Sequence, residues 1–276
     1  MFHIKYIFVF LSAFVYGNVI ATERVPHTTI ANGLKSISRA WFAEPTERYP
    51  HGVLGDAIEA GSLFVELDSG MVLNYRIPDE SVFEDLYPRI ADIDQNGEEE
   101  VWVVRSDRSN GARLEAYVPN DNSLSFLYAT EPIGRGFRWL NPVGIADFNG
   151  DGNLEVAYVQ TPHIGGILKV VALKGSKLVT IAQGTGFSTH SIGSTHLDLA
   201  AIADVDNDGA VEIILPNQSH RELVVISLQK NTLVERWRTS TEKIHSQLKI
   251  IEVNGRFTLT YRGYNEDQHS VIIPDL

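Results

Sequence analysis

Three short segments of this sequence place carboxylates and amides at alternate positions and then turn on a glycine. In residues 90–101 these are Asp92, Asp94, Asn96 and Glu100, with Gly97. In residues 145–156 they are Asp147, Asn149, Asp151 and Glu155, with Gly152. In residues 202–213 they are Asp204, Asp206, Asp208 and Glu212, with Gly209. A backbone carbonyl from the seventh position, at Glu98, Asn153 or Ala210, would complete each set. Such loops suit calcium, a hard cation that takes six to eight oxygens at about 2.3–2.6 Å. The glycine allows the chain to curl tightly enough for alternate side chains to face inward. The bland reading is a set of Asx turns that start strands. Three copies weigh against it, because so many carboxylates in one turn repel unless a cation joins them. The third segment carries four carboxylates and is expected to bind most tightly. The Glu falls at position nine of the loop, not twelve, and strands flank it, so these are not EF-hands.

A second group of residues carries a different chemistry. Six histidines (His51, His163, His190, His196, His220 and His245) fall in polar connecting stretches, together with Arg138 and Arg221. Trp139 and Asn141 lie in the same stretches. Arginines there would pair with an anionic group, and Trp139 would stack on a sugar or an aromatic ring. The candidate ligand-binding residues are therefore Arg138, Trp139, Asn141, His163, His190, His196, His220 and Arg221. The bland alternative is that these loops are polar because they are solvated and that Trp139 is core.

Elements must position both groups. The first aspartates of the three segments, Asp92, Asp147 and Asp204, lie 55 and 57 residues apart. Periods of this size mark repeat folds. Each copy is preceded by a short apolar stretch and followed by an apolar strand. Two further strands come next, joined by a polar turn at residues 119–123, 174–177 or 229–232. Each unit thus reads as four antiparallel strands, the content of one propeller blade. Weaker copies stand at residues 54–65, where Asp56 and Gly61 remain, and at 248–255. The fold class expected is all-β: a β-propeller of four-stranded blades with calcium loops between first and second strands. Five units fit the length; six or seven would leave too few residues each. Residues 270–273 would add a strand to the first unit and close the ring.

The Asp-rich segments resemble the FG-GAP/VCBS repeat family, the calcium-binding blades of integrin α-subunit propellers and of many exported bacterial proteins. The resemblance covers roughly residues 49–274. It implies a bound Ca²⁺ at each of the three loops. A Glu at the ninth position departs from the commonest family pattern.

Composition bounds the rest. The chain has 276 residues, no cysteine, and 23 basic against 35 acidic residues, a formal charge of −12. Cysteine-ligated metal and thiol catalysis are excluded, and net acidity argues against nucleic acid as a partner. Residues 1–21 read as a secretory signal: Lys5, then an apolar run, then Val19-Ile20-Ala21 with small residues before the cut. A retained anchor is the alternative, although the run is short for the roughly 20 residues of a span. Domains are then 1–21 signal, 22–45 lead-in with an outer strand, and 46–276 propeller, with no transmembrane segment after cleavage. Export to the periplasm or outside the cell follows. No G-x-S-x-G or H-E-x-x-H stands in the chain. The function expected is a calcium-stabilised binding or scaffold module for a protein, peptide or glycan, more a binder than an enzyme. The alternative is a hydrolase or lyase with a His base at the central channel.

Overall fold

The computed structural model describes residues 23–276, so the signal segment lies outside the described residues. Among these the chain is all-β, with antiparallel sheets and no helix. The first sheet holds β1 (Ala31–Asn32), β2 (Ile37–Thr46), β3 (Glu59–Leu67), β4 (Val72–Arg76), β5 (Ser81–Phe83), β6 (Arg89–Ala91), β7 (Glu100–Asp107), β8 (Gly111–Pro119) and β9 (Leu124–Ala129). It consists of two four-stranded groups, β1–β4 and β6–β9. The short β5 stitches them, pairing Phe83 with Ala60 of β3 and with Arg105 of β7. The second sheet is β10 (Leu140–Ala146), β11 (Glu155–Gln160), β12 (Ile167–Lys174) and β13 (Lys177–Thr185). The third is β14 (Ala201–Ala203), β15 (Glu212–Pro216), β16 (Glu222–Gln229) and β17 (Thr232–Ser240). The last is β18 (Ile244–Val253), β19 (Arg256–Gly263) and β20 (Gln268–Ile272).

The repeat is structural as well as sequential. In β8–β9, β12–β13 and β16–β17 the register slips at the same place, after Ala116, Val170 and Val225. The extra residue in each outer strand is Leu127, Ile181 or Arg236. The polar turns fall where the sequence puts them. At the third, Lys230 and Asn231 both take positive φ (48° and 61°), the backbone of a tight hairpin turn.

The structure departs from expectation at three places, two of them at the ends of the chain's sheets. The sheets begin ahead of residue 46: β1 and most of β2 lie in the segment read as lead-in. The reason is burial, since Ile37, Ala40, Phe42 and Ala43 are all core. The segment 270–273 does not join the first unit. It lies in β20, which pairs with β19 through Ser270–Thr260 and Ile272–Thr258.

Strands alternate in direction, so the loops divide between two ends. The acidic loops (β6–β7, β10–β11 and β14–β15) share one end with the hairpin of residues 33–36. The connections 47–58, 108–110, 130–139, 161–166, 186–200 and 217–221 share the other. Asp56 therefore falls at the opposite end from Asp92, and residues 54–65 are not a copy of the acidic loops.

Four apolar clusters hold neighbouring groups face to face. The first unites the halves of the first sheet around Phe42, Phe83 and Tyr117. The second joins β6–β9 to the second sheet around Trp102, Leu114 and Trp139. The third joins second and third sheets around Phe148, Leu168 and Leu215. The fourth joins third and last around Leu223, Ile244 and Leu259.

Candidate functional site

The three acidic loops are built alike. The amide of Gly97, Gly152 or Gly209 donates to the first aspartate of its loop, at 3.1, 2.8 and 3.0 Å. All three glycines have φ between +86° and +96°, a region other residues rarely enter. The ninth-position glutamate is fully buried in each loop and accepts the amide of Ile93, Phe148 or Val205, at 2.8, 3.0 and 2.9 Å. The seventh-position amides of Glu98, Asn153 and Ala210 donate to Asn96, Asp151 and Asp208.

The loops differ in what their oxygens are free to do. In the first, ligand atoms of Asp92, Asp94 and Glu100 lie within 4.8 Å of one another. Asp92 Oδ1 and Glu100 Oε1 are buried without a well-formed hydrogen bond, although the equally unpaired Trp102 indole N–H lies close enough to Glu100 to favour its charged form. Lys35 Nζ stands on Asp92 Oδ2 at 2.6 Å and holds that carboxyl below its ordinary range. In the third, Asp204, Asp206 and Asp208 gather equally closely, and Arg236 forms an ion pair with Asp206 at 3.1 Å. In the second, the carboxylates do not gather. Asp147 accepts the amides of Gly150, Asp151 and Gly152, and Asn149 Nδ2 donates to Glu155 at 2.7 Å. Burial pushes the carboxyls of Glu100 and Glu155 up to about 7. The first loop, with two unsatisfied buried oxygens, fits a cation best, and the third fits with Arg236 moved aside.

The opposite end carries a cleft of about 250 Å³ lined by His51, Phe137, Arg138, Trp139, Thr161 and His163, with Val53, Ile164 and Ile192 as apolar walls. Its floor is a chain of rings. Trp139 is 2% exposed and donates Nε1–H to the carbonyl of Glu84 at 2.9 Å. His163 stacks on it at 6.2 Å, 8° from parallel. His190 Nε2 lies 2.9 Å from the carbonyl oxygen of Ser194, which can only accept, so His190 carries its proton on Nε2. Its Nδ1 then accepts from His163 Nε2 at 2.8 Å, and His163 Nδ1 is left as a bare lone pair. Burial keeps both rings neutral, with His163 pushed down to about 3 and His190 to about 4.

The eight residues expected to bind ligand separate. Arg138 and His163 line the cleft. Trp139, His190, Asn141 and His220 are buried supports. Asn141 clamps Thr189 at 3.1 Å, and His220 Nε2 bonds Ser188 Oγ at 2.7 Å. Trp139 is core, 2% exposed, and meets the cleft only as part of its floor beneath His163. His196 lines a neighbouring hollow with His245 and Tyr264. Arg221 lies on a third surface, beside Glu242 and Asp267. Among the described residues, no three histidines bring ligand atoms together for a transition metal. Sequence reasoning missed Glu84, and it placed the stretches holding Phe137, Thr161 and Ile164 at this end without singling those residues out. It placed His51 on this face without assigning it a role.

No described protein family matches the chain, and no curated protein matches it. Solved structures do. Rhamnogalacturonan lyase YesW aligns at 15% identity and TM-score 0.44, over 74% of this chain and 44% of that one. The fission yeast SREBP–SCAP binding domains align at 12% and 0.46, over 90% and 61%. A candidate 6-phosphogluconolactonase of Bacteroides fragilis aligns at 13% and 0.44, over 89% and 68%. The chain thus spans less than half the length of the lyase.

Proposed function

We propose that this protein is an exported, calcium-stabilised β-propeller of the FG-GAP/VCBS type. It has five units, and it acts as a binding module through its histidine-lined end. The units are β1–β4, β6–β9, β10–β13, β14–β17 and β18–β20. The observation that carries the calcium reading is the pair of buried, unpartnered oxygens Asp92 Oδ1 and Glu100 Oε1. A buried carboxylate oxygen without a donor is costly, and a cation bound among Asp92, Asp94 and Glu100 would remove that cost. The third loop would hold a second ion on Asp204, Asp206 and Asp208. The second loop would take one once Asn149 turns away from Glu155. The binding reading draws on the cleft: a floor of buried rings beneath exposed apolar walls, with Ile164 62% and Ile192 72% exposed. Connections on a rigid scaffold are where binding residues concentrate. The ligand is a protein, peptide or glycan that offers hydrogen-bond donors to the cleft.

Calcium modules outside the cell bind at about 10⁻⁴–10⁻³ M. At ten times that concentration each site adds about 1.4 kcal/mol by mass action. Thermal melting in millimolar calcium is expected to exceed melting in excess chelator by at least about 5 °C. Coincident melts would end the calcium reading.

A further inference from the structure

Four observations meet in the histidine-lined cleft. The first is a buried pair. Glu84 is fully buried, and its Oε1 lies 2.6 Å from His51 Nδ1. The Ser106 hydroxyl donates to Oε2, and Trp139 donates to the Glu84 carbonyl. Burial raises the proton affinity of Glu84, while the bonds from His51 and Ser106 favour its charged form. A carboxylate at Nδ1 fixes the ring's tautomer and leaves Nε2 as the lone pair. The second is access. His51 lines the cleft, and its Nε2 is neither bonded within the protein nor among the buried atoms lacking a partner.

The third is strain. Phe137 and Thr161, both on the cleft wall, have φ of +54° and +48°. A β-branched threonine in that region is a genuine outlier, and such strain collects at functional sites. Tyr49 holds Phe137 there, accepting its amide at 2.9 Å and stacking on its ring at 4.8 Å. The fourth is the character of the walls. Ile164, Ile192, Val53 and Phe137 are apolar, and His163 is neutral, so the cleft suits an uncharged, partly apolar molecule. Arg138 stands at the rim with one N–H on the Phe137 carbonyl at 2.7 Å and its other donors open.

We propose that the Glu84–His51 pair makes this cleft a general-base site that hydrolyses a neutral carboxylic ester. The proposal rests on reading this end as the ligand-binding one. His51 Nε2 takes a proton from water, and the resulting hydroxyl oxygen bonds to the acyl carbon. The charge that develops on the acyl oxygen faces the Arg138 guanidinium. The acyl–oxygen bond then breaks, its electron pair leaves on the alcohol oxygen, and His51 returns the proton there. One ester and one water give one acid and one alcohol. Glu84 is a positioning residue, acting through His51.

The test uses the full chain in millimolar calcium with p-nitrophenyl acetate. Saturable hydrolysis above the buffer rate is expected. His51→Ala is expected to lower kcat at least about 100-fold, with partial rescue by added imidazole. Glu84→Gln is expected to lower kcat about 10-fold or more with KM within about twofold, and to move the pH profile of kcat. The other titratable groups around the pair stay in place in that variant: Tyr49 and His163 beside His51, Glu59 and Asp85 beside Glu84. Should Glu84→Gln fail to fold, ¹⁵N-detected spectra of the unmodified protein decide the pair: His51 must carry its proton on Nδ1. A proton on Nε2 alone overturns the proposal. So does hydrolysis that survives His51→Ala, or none above background. In the last case, the non-hydrolysed amide 4-nitroacetanilide separates the two readings. Thermal stabilisation by it leaves the cleft a binding site and removes only the chemistry; no stabilisation removes both.

Discussion

Glu100, Glu155 and Glu212 share one bond and differ in the other. Each closes its loop on the amide seven residues earlier. The remaining oxygen is free in Glu100, accepts Asn149 in Glu155, and accepts Ser227 at 3.1 Å in Glu212. Counting carboxylates points to the third loop as the tightest, but Arg236 already neutralises part of it. Arg236→Met is therefore expected to strengthen calcium binding at the third loop by about three- to tenfold, read by isothermal titration. An unchanged affinity would mean the guanidinium leaves at no cost. The acidic loops were legible because their oxygens are contiguous in sequence. The cleft was not, because His51, Glu84, Trp139 and His163 come from four separate segments. Nothing in Phe83-Glu84-Asp85 distinguishes an acid that will be buried from one that will be solvated.

The buried His190 also sets a pH dependence. Its folded-state pKa of about 4 lies below the unfolded value near 6.5. The unfolded chain takes up a proton first as the pH falls, so stability is complete above about 6.5 and is lost as the pH drops towards 4. The burden is on the order of 3 kcal/mol for this ring. Urea melts of His190→Met are expected to show a smaller fall between pH 6.5 and 4.5 than the unmodified protein. Parallel falls would show that the ring is charged in the fold.

At the level of elements, the repeated bulge does positional work. Leu127, Ile181 and Arg236 are the same extra residue in three outer strands, and in the third sheet the bulge turns Arg236 onto Asp206 and Ser227. Hairpins and their order were readable from alternation and turn residues, whereas the bridging β5 and the partner of β20 were not, since pairings that depart from the repeat leave no signal in its period. Glycines make a paired prediction. A Cβ at Gly166 would stand 1.5 Å from the Phe187 carbonyl oxygen, backbone that cannot move aside. Gly165 has φ +74° and open space around it. Gly166→Ala is expected to cost about 3 kcal/mol or more, and Gly165→Ala about 1 kcal/mol. Equal costs in denaturant melts would contradict the close approach.

For the whole molecule, adjacent groups of strands share apolar cores, and the acidic loops are tied in series. Glu99 accepts the amides of Leu34, Lys35 and Ile37, Gln95 donates to the Gly152 carbonyl, and Val211 donates to the Asp147 carbonyl. Among the described residues, none of the four apolar clusters joins the last sheet to β1–β4. Amide hydrogen exchange is accordingly expected to be fastest, among the sheets, in β18–β20, with protection rising towards β7, β11 and β15. Uniform protection across the sheets would contradict this ordering. Among the described residues the last sheet shares its apolar cluster with the third sheet, and this one-sided attachment gives the protein a mechanical polarity. Under load β18–β20, held through the cluster shared with the third sheet, is expected to part before the groups that are packed on both sides. The walls around His51 and His163 lie in the earlier groups and would hold their shape until later.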